Sequence, residues 1–298
     1  MDFLVAGIVV VLILALLVLL IRVVYNHAVP AFDRRHRERD DSFFFNYYCE
    51  TGTMSKVRWL NRRLPSSPRC KVCLLPFGGL GHVLGVKPSR KNPNHCRSCF
   101  EAAPIGGHDI EVGVLFADIR GYTSWCEDQP PEVVERALNR FYATASTVLT
   151  KDDGLIDKLV GDEVMALFIS AFRSLRERTC EVMVDAAREF LLLIGQATPD
   201  QDSLPVGVGL TYGMARVGNV GAGDVKDFTA IGDVVNTAAR LEASASPGQI
   251  LMSADVYERA AAQVPDATPR SFVLKGKAEP VSAYAIQVGS DVGPNDGP

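Results

Sequence analysis

Two aspartates stand at the ends of apolar segments, where their carboxylates could bind a divalent cation. Asp118 follows the apolar stretch GVLFA, and Asp162 follows Gly161 in a turn between two apolar segments, which is the pattern of a hairpin. If that hairpin lies beside the first strand, the two carboxylates converge. Mg²⁺ takes few protein oxygens and completes its shell with water and substrate phosphates. Aspartates are common in turns, so the pair alone is also compatible with ordinary turn residues.

Four cysteines form two closely spaced pairs that could hold a second kind of metal. The pairs are Cys70-x2-Cys73 and Cys96-x2-Cys99, with 22 residues between them. Two such pairs can place four thiolates tetrahedrally, as in structural zinc sites. Zinc is the preferred ion, and an iron–sulfur cluster or redox-active dithiols are the alternatives. The single residues Cys49, Cys126 and Cys180 are typical of inert packing positions.

The overall composition excludes several classes of protein. Of the 298 residues 47% are apolar, which is too many for a disordered chain. Seven cysteines, an odd number, argue against a disulfide framework. The net charge of -4 gives no global basic field for nucleic acid, and no nucleic-acid partner is expected. A local basic patch near the cysteines keeps that alternative open; it contains Arg69, Lys71, Lys87, Arg90, Lys91 and Arg97.

The N-terminal segment predicts a membrane anchor. Residues 3–21 are nineteen consecutive uncharged positions, close to the roughly 20 that a spanning helix needs. The basic residues that follow are Arg22, Arg34, Arg35, Arg37 and Arg39. By the positive-inside rule they place the rest of the chain in the cytoplasm. We therefore expect a single-pass protein of a bacterial-type plasma membrane that contacts the lipid through residues 3–24.

The chain after the anchor divides into regions of different composition. The expected domains are an anchor (1–25), a juxtamembrane region (26–107) whose cysteine module covers about 65–104, a catalytic domain (108–288) and a flexible tail (289–298). Within 108–288 the predicted elements are a strand at 110–119, a helix at 130–149, a hairpin at 154–169, a helix at 171–196, a strand at 204–221 and a helix at 233–244. The segment GNVGAGD (218–224) is interpreted as a hairpin turn, because it lacks the Lys-Ser/Thr of a phosphate-binding P-loop. This irregular alternation predicts an α+β fold with a mixed or antiparallel sheet.

Four sequence blocks resemble a known family. LFADIRGYTSWCE, DKLVGDEVMALF, DFTAIGDVVNTAARLE and LKGKAEPVSAY occur in that order and resemble the catalytic domain of bacterial-type class III adenylate and guanylate cyclases, over about residues 110–287. The resemblance implies a ferredoxin-like mixed sheet with flanking helices. It also implies a head-to-tail homodimer in which each active site takes its aspartates from one chain and its other residues from the partner.

The resemblance also assigns roles to individual residues. Asp118, Asp162 and the backbone carbonyl of Ile119 correspond to ligands of two Mg²⁺ or Mn²⁺ ions per site. The remaining matches are Lys158 and Thr229, which would read the purine, Asn236 and Arg240, which would stabilise the transition state, and Lys275, which would contact the terminal phosphates.

The purine-reading pair favours ATP over GTP. The ammonium of Lys158 donates to N1 of adenine, and the hydroxyl of Thr229 can accept from the exocyclic amine. Guanine would bring its N1–H against the ammonium, and such a mismatch costs on the order of 1–3 kcal/mol. The expected activity is adenylate cyclase, a phosphorus–oxygen lyase. The alternatives are a guanylate cyclase and a catalytically silent nucleotide-binding domain.

Overall fold

The computed structural model describes residues 58–101, 105–170, 172, 175–196, 203–223, 225–272 and 281–289. The predicted anchor, Cys49, Lys275 and the C-terminal residues from Ser290 onward lie outside this part of the chain. Within it, no helix has both the length and the apolar character that crossing a membrane requires.

The chain forms two compact units. One holds the residues up to Gly106 together with Asn219–Asp227, and the other holds Gly107–Gly218 and the residues from Phe228 onward. The first unit contains the four paired cysteines, a short helix α1 (Leu80–Val83) and a 3₁₀ turn at Arg97–Cys99. The scarcity of regular structure over residues 62–101 agrees with the proline- and glycine-rich sequence there.

The helices and strands after the cysteine pairs alternate irregularly. In chain order they are β1 (Gly106–Ile119), α2 (Tyr122–Glu127), α3 (Pro131–Lys151), β2 (Leu155–Val160), β3 (Glu163–Ile169), α4 (Thr179–Ile194), β4 (Val206–Ala222), β5 (Val225–Ile231), α5 (Asp233–Ser244), β6 (Gln249–Ser253), α6 (Ala254–Ala260), β7 (Thr268–Phe272) and β8 (Val281–Gln287).

The described strands form one mixed sheet. Its order is β2-β3-β1-β4-β6-β8-β7, and β5 pairs with β4 beside this path. The pairs β1–β3, β2–β3, β6–β8 and β7–β8 are antiparallel, whereas β4–β6 is parallel. The order β2-β3-β1-β4, with α3 and α4 as connections, is the split β-α-β of ferredoxin-like folds. The predicted α+β fold with a mixed sheet and flanking helices is therefore confirmed.

Helices α3 and α4 cover the sheet with apolar side chains at helical spacing. Proline occupies the first turn of α3, as expected, and Phe141, Ala145 and Val148 form its buried stripe. The ring of Phe141 lies 5.6 Å from that of Phe190 on α4. The predicted helix over 171–196 is wrong at its start, since α4 begins at Thr179 after a 3₁₀ turn. Phe172 and Leu175 are buried in that lead-in segment, so apolar spacing continued beyond the helix itself.

Helix α5 rests on β4 at a glycine. A Cβ added to Gly209 would lie 2.3 Å from both the carbonyl oxygen of Ala238 and the amide nitrogen of Glu242. These are backbone atoms of α5, which cannot rotate away as a side chain can. Gly209 therefore sets how closely α5 approaches the sheet.

We expect Gly209→Ala to lower the free energy of unfolding by about 1–3 kcal/mol, because the added methyl group displaces α5. Gly213→Ala on the same strand is the matched control. The nearest atom to its added Cβ would be Cγ2 of Val234 at 3.6 Å, an ordinary contact. Urea unfolding followed by circular dichroism measures both variants. Equal losses of stability would contradict the close approach at Gly209.

Candidate active site and cysteine cluster

Strand register brings the two candidate metal-binding aspartates together. In the antiparallel pair of β1 and β3, Asp118 lies opposite Glu163. The backbone N–H of Ile119 donates to the carbonyl oxygen of Asp162 at 3.3 Å. Gly161 turns the chain in the two-residue loop between β2 and β3 with a φ of +60°, a conformation that favours glycine. The predicted hairpin therefore lies beside β1, as the metal-site hypothesis requires.

The charges around these aspartates are crowded and partly buried. Burial raises the pKa of Asp118, Arg120 opposes that rise, and the nearby carboxylate of Asp162 adds to it. Burial also raises the pKa of Glu163, and both aspartates raise it further. Three carboxyl groups thus share a half-buried corner in which their ionised forms repel one another.

A divalent cation fits this corner. It would relieve the repulsion, and carboxylate and carbonyl oxygens are the ligands that Mg²⁺ prefers. Tyr142 closes one side, with its hydroxyl donating to the carbonyl oxygen of Gly161. Burial and the charge of Asp162 raise the pKa of Tyr142, so it stays neutral there.

Arg120 joins this acidic corner to helix α5. Its Nη2 lies 2.7 Å from Oδ1 of Asp118, and the same nitrogen forms an ion pair with Oε1 of Glu242. Its backbone N–H donates to the carbonyl oxygen of Pro205 at 2.6 Å. The carboxylate of Glu242 is buried, so Arg120 neutralises a charge that would otherwise be costly inside the protein.

The two residues predicted to stabilise the transition state share one face of α5. Asn236 and Arg240 are four positions apart on this helix, and their faces differ by only about 40° at 3.6 residues per turn. Glu242 lies two positions beyond Arg240, about 200° around the helix. The face that carries Asn236 and Arg240 is therefore turned away from the face that meets Arg120. No ion pair joins Arg240 to a carboxylate within the described residues.

The predicted base-reading residues lie on two different strands. Lys158 is exposed on β2, and Thr229 is buried on β5. The Thr229 hydroxyl donates to Oδ2 of buried Asp157 at 2.6 Å. Asp157 occupies a break in the register of β2 against β3, between Ile156 and Lys158. Such bulges re-aim side chains, and here the bulge places a carboxylate beneath Thr229.

Sequence reasoning missed three residues of this arrangement: Arg120, Glu242 and Asp157. All three lie in or beside the family-like blocks, and Asp157 directly precedes Lys158. The only feature of these three residues visible in the sequence is that each carries a charge. Their partners are distant in the chain, since Arg120 and Glu242 are 122 positions apart.

The cysteine pairs converge in the first unit. All four Sγ atoms of Cys70, Cys73, Cys96 and Cys99 lie within 4.8 Å of one another, and all four residues are buried. The sulfur–sulfur separations are 3.9 Å for Cys70–Cys99, 3.7 Å for Cys73–Cys96 and 3.4 Å for Cys96–Cys99. Four sulfurs each about 2.3 Å from a tetrahedral zinc ion would lie about 3.8 Å apart. A disulfide needs about 2.05 Å, so this geometry fits a metal site.

Hydrogen bonds within the cluster favour a thiolate at Cys70. Those from Cys73, Cys96 and Cys99 lower the pKa of Cys70, and the backbone N–H of Cys96 also donates to its sulfur at 3.2 Å. Hydrogen bonds with Cys70, Cys73 and Cys96, together with burial, raise the pKa of Cys99. The isolated Cys180 is different, because burial raises its pKa to about 12, as suits an inert packing residue.

Comparison with known proteins identifies the second unit. The sequence model of the adenylate and guanylate cyclase catalytic domain family matches residues 107–287. The crystal structure of the guanylyl cyclase Cya2 is similar with a TM-score of 0.58 and 27% identity, over 63% of this chain and 98% of that one. The adenylyl cyclase CyaB from P. aeruginosa is similar with a TM-score of 0.54 and 28% identity, over 63% of this chain and all of the other.

Curated relatives agree over the same region. An adenylate cyclase from Anabaena cylindrica is 33% identical over 207 residues, which cover 62% of this chain and 40% of the relative. A Mycobacterium tuberculosis protein is 33% identical over 162 residues, 54% of this chain and 29% of that protein. The chain thus spans less than half the length of these relatives. Since the matched family domain covers more than half of this chain, the protein belongs to the family of adenylate and guanylate cyclase catalytic domains.

Proposed function

We propose that this protein is an adenylate cyclase that converts ATP to 3′,5′-cyclic AMP and pyrophosphate in a head-to-tail homodimer. Family membership and the convergence of Asp118 with Asp162 support the cyclase reaction. The hydrogen bond from Thr229 to Asp157 carries the choice of ATP. Similarity to the adenylate cyclase of Anabaena cylindrica and to CyaB agrees with that choice.

In the reaction the ribose 3′-oxygen forms a bond to the α-phosphorus while the bond from that phosphorus to pyrophosphate breaks. Two Mg²⁺ or Mn²⁺ ions, held by Asp118, Asp162 and the carbonyl of Ile119, would acidify the 3′-hydroxyl and neutralise the triphosphate. Arg240 donates to the phosphate oxygens on which negative charge grows. Asn236 orients the ribose, and Lys275 contacts the terminal phosphates.

The orientation of α5 supports a site shared between two chains. Arg120 holds Glu242 beside Asp118, so Asn236 and Arg240 point away from the acidic corner of their own protomer. A nucleotide on the aspartates of one chain must then take its arginine from another. In a head-to-tail dimer each chain gives its aspartates to one site and its α5 face to the other.

Complementation between inactive variants tests the shared site. Asp162→Ala and Arg240→Ala should each lose at least about 10²-fold in kcat, because each removes a charge that the transition state needs. Co-expressed in equal amounts, they form mixed dimers with one intact site, which should restore about a quarter of wild-type activity. A mixture no more active than either variant would contradict the shared site. A mixture of two Asp162→Ala chains with different tags is the control.

The Thr229–Asp157 hydrogen bond supports adenine as the base. A hydroxyl has one hydrogen, and Thr229 gives it to Asp157. The lone pairs of Thr229 are then the groups offered to the base. They can accept from the exocyclic amine of adenine, whereas guanine presents another acceptor, O6, at that position.

We expect Asp157→Ala to reduce the preference for ATP over GTP by about tenfold in kcat/KM, because the freed hydroxyl can then donate to O6. Asp157→Asn keeps an acceptor oxygen and should retain the preference. Initial rates with both nucleotides measure the ratio, and urea unfolding confirms that both variants are folded. A wild-type preference for GTP would favour the second candidate, a guanylate cyclase, which similarity to Cya2 supports.

We further propose that the four paired cysteines bind one zinc ion. Their tetrahedral spacing and complete burial support this assignment. Elemental analysis should find one zinc per chain. Absorption in the visible range would instead indicate an iron–sulfur cluster.

We also propose that residues 3–21 anchor the chain in the plasma membrane, with the catalytic domain in the cytoplasm. Their unbroken apolar sequence and the basic residues that follow support this. The full chain should remain in the membrane fraction after an alkaline wash, and replacing Leu12 and Leu17 by arginine should release it. Retention of that double variant would contradict the anchor.

A further inference from the structure

The turn between β4 and β5 belongs to the same compact unit as the cysteine cluster. We call this segment, Asn219–Asp227, the hairpin tip. Gly221 in it has a φ of +143°, and a Cβ there would lie 2.2 Å from the carbonyl oxygen of Val225. Only glycine fits this position of the tip without displacing the backbone of Val225.

Two polar contacts hold the hairpin tip to the segment around the second cysteine pair. Asn219 is 2% exposed, and its Nδ2 donates to the carbonyl oxygen of Phe100 at 2.8 Å. Phe100 directly follows Cys99 and is completely buried. Nζ of Lys91 lies 2.7 Å from Oδ1 of Asp227, and the lysine side chain is only 10% exposed. Asn219 also forms a parallel backbone bridge with Ile105.

The partners of the tip depend on the second cysteine pair for their own position. The segment between Lys91 and Phe100 contains Cys96 and Cys99. It is folded back by a bridge between Pro88 and Cys96 and by the N–H of Ser89, which donates to the carbonyl oxygen of His95 at 2.7 Å. With so little regular structure, the free energy of metal binding supplies much of the folding free energy of such a module.

The tip continues directly into the base-reading strand. Asp227 lies on β5 two positions before Thr229. Residues two apart in a strand share a face, and at about 3.3 Å per residue Asp227 and Thr229 are only about 7 Å apart along the chain. Release of the tip at Asp227 would therefore loosen β5 within two residues of Thr229.

We infer that metal loading of Cys70, Cys73, Cys96 and Cys99 controls nucleotide binding by latching the hairpin tip through Asn219 and Asp227. The inference rests on the proposed function, since Thr229 is the base reader only if the protein is a cyclase. Asp118 lies on β1 and Asp162 lies in the turn between β2 and β3, so loss of the contacts at Asn219 and Asp227 should affect recognition of the base more than the chemical step.

The test compares zinc-loaded full-length protein with the same protein after zinc removal by a thiol-reactive reagent and a chelator. Zinc removal should speed amide hydrogen exchange in residues 219–231 by about tenfold, because the tip then opens locally. It should raise KM for ATP about fivefold or more while kcat changes less than about twofold, the pattern of lost ground-state binding. Adding zinc back should restore the slow amide exchange and the low KM for ATP.

Variants separate the effect of the contacts at Asn219 and Asp227 from the effect of metal binding. Asn219→Ala combined with Asp227→Asn should bind one zinc per chain yet show the high KM, and zinc removal should change that KM no further. Arg216→Gln is the matched control, because it removes an exposed ion pair between β4 and Asp109 that lies outside the tip. This control should keep the wild-type KM and its dependence on zinc.

Each result has a different consequence. If the four cysteines bind neither zinc nor an iron–sulfur cluster, the metal site and the inference are both wrong. If zinc binds but its removal leaves exchange in 219–231 unchanged, the latch is wrong and the zinc serves the module alone. If zinc-loaded protein shows no cyclase activity with either nucleotide, the proposed function is wrong, and the control of nucleotide binding inferred from it fails with it. The exchange data then still show whether the metal holds the tip.

Discussion

The guanidinium of Arg120 lies between two carboxylates that belong to different parts of the candidate site. It pairs with Asp118 at the end of β1 and with buried Glu242 on α5. Because Glu242 faces inward, the opposite face of α5 must carry Asn236 and Arg240 outward. This ion pair thus orients α5 and gives a physical reason why one protomer is insufficient for the proposed reaction. The contact of α5 with Gly209 sets its distance from the sheet.

Two hairpins carry residues that we propose bind the substrate. The β2–β3 hairpin carries Asp162 in its turn and Asp157 and Lys158 on its first strand. The β4–β5 hairpin carries Thr229, whose hydroxyl meets Asp157. The proposed metal-binding end and the proposed base-reading end of one chain are therefore connected through β2. In the proposed head-to-tail dimer these two ends serve different sites, because each site takes its aspartates from one chain and its base-reading residues from the partner.

The cysteine module has little regular structure to stabilise it. Its short segments bury four sulfurs and Phe100 but contain, in the described part, only a four-residue helix and a 3₁₀ turn. An ion at the sulfurs would cross-link both cysteine pairs. Such a cross-link would hold Phe100 and Lys91 in place. These residues are the partners of buried Asn219 and of Asp227 in the hairpin tip. A polar contact stabilises only as well as the groups that position it.

Local spacing along the chain was sufficient to predict the fold class, the hairpin around Gly161, both ends of helix α5 and the identity of the four clustered cysteines. Those features depend on apolar periodicity, a two-residue turn and paired cysteines, all of which are visible over a few neighbouring positions. The roles of Asp118, Asp162, Lys158, Asn236 and Arg240 stay predictions, and Lys275 lies outside the described residues. Three contacts emerge only in the folded chain: Arg120 faces Glu242, Asp157 accepts from Thr229, and the β4–β5 turn is held beside the cysteines. Each joins residues that are distant in the chain, because strand register, a bulge and helix rotation create these contacts, and packing across the whole fold sets all three.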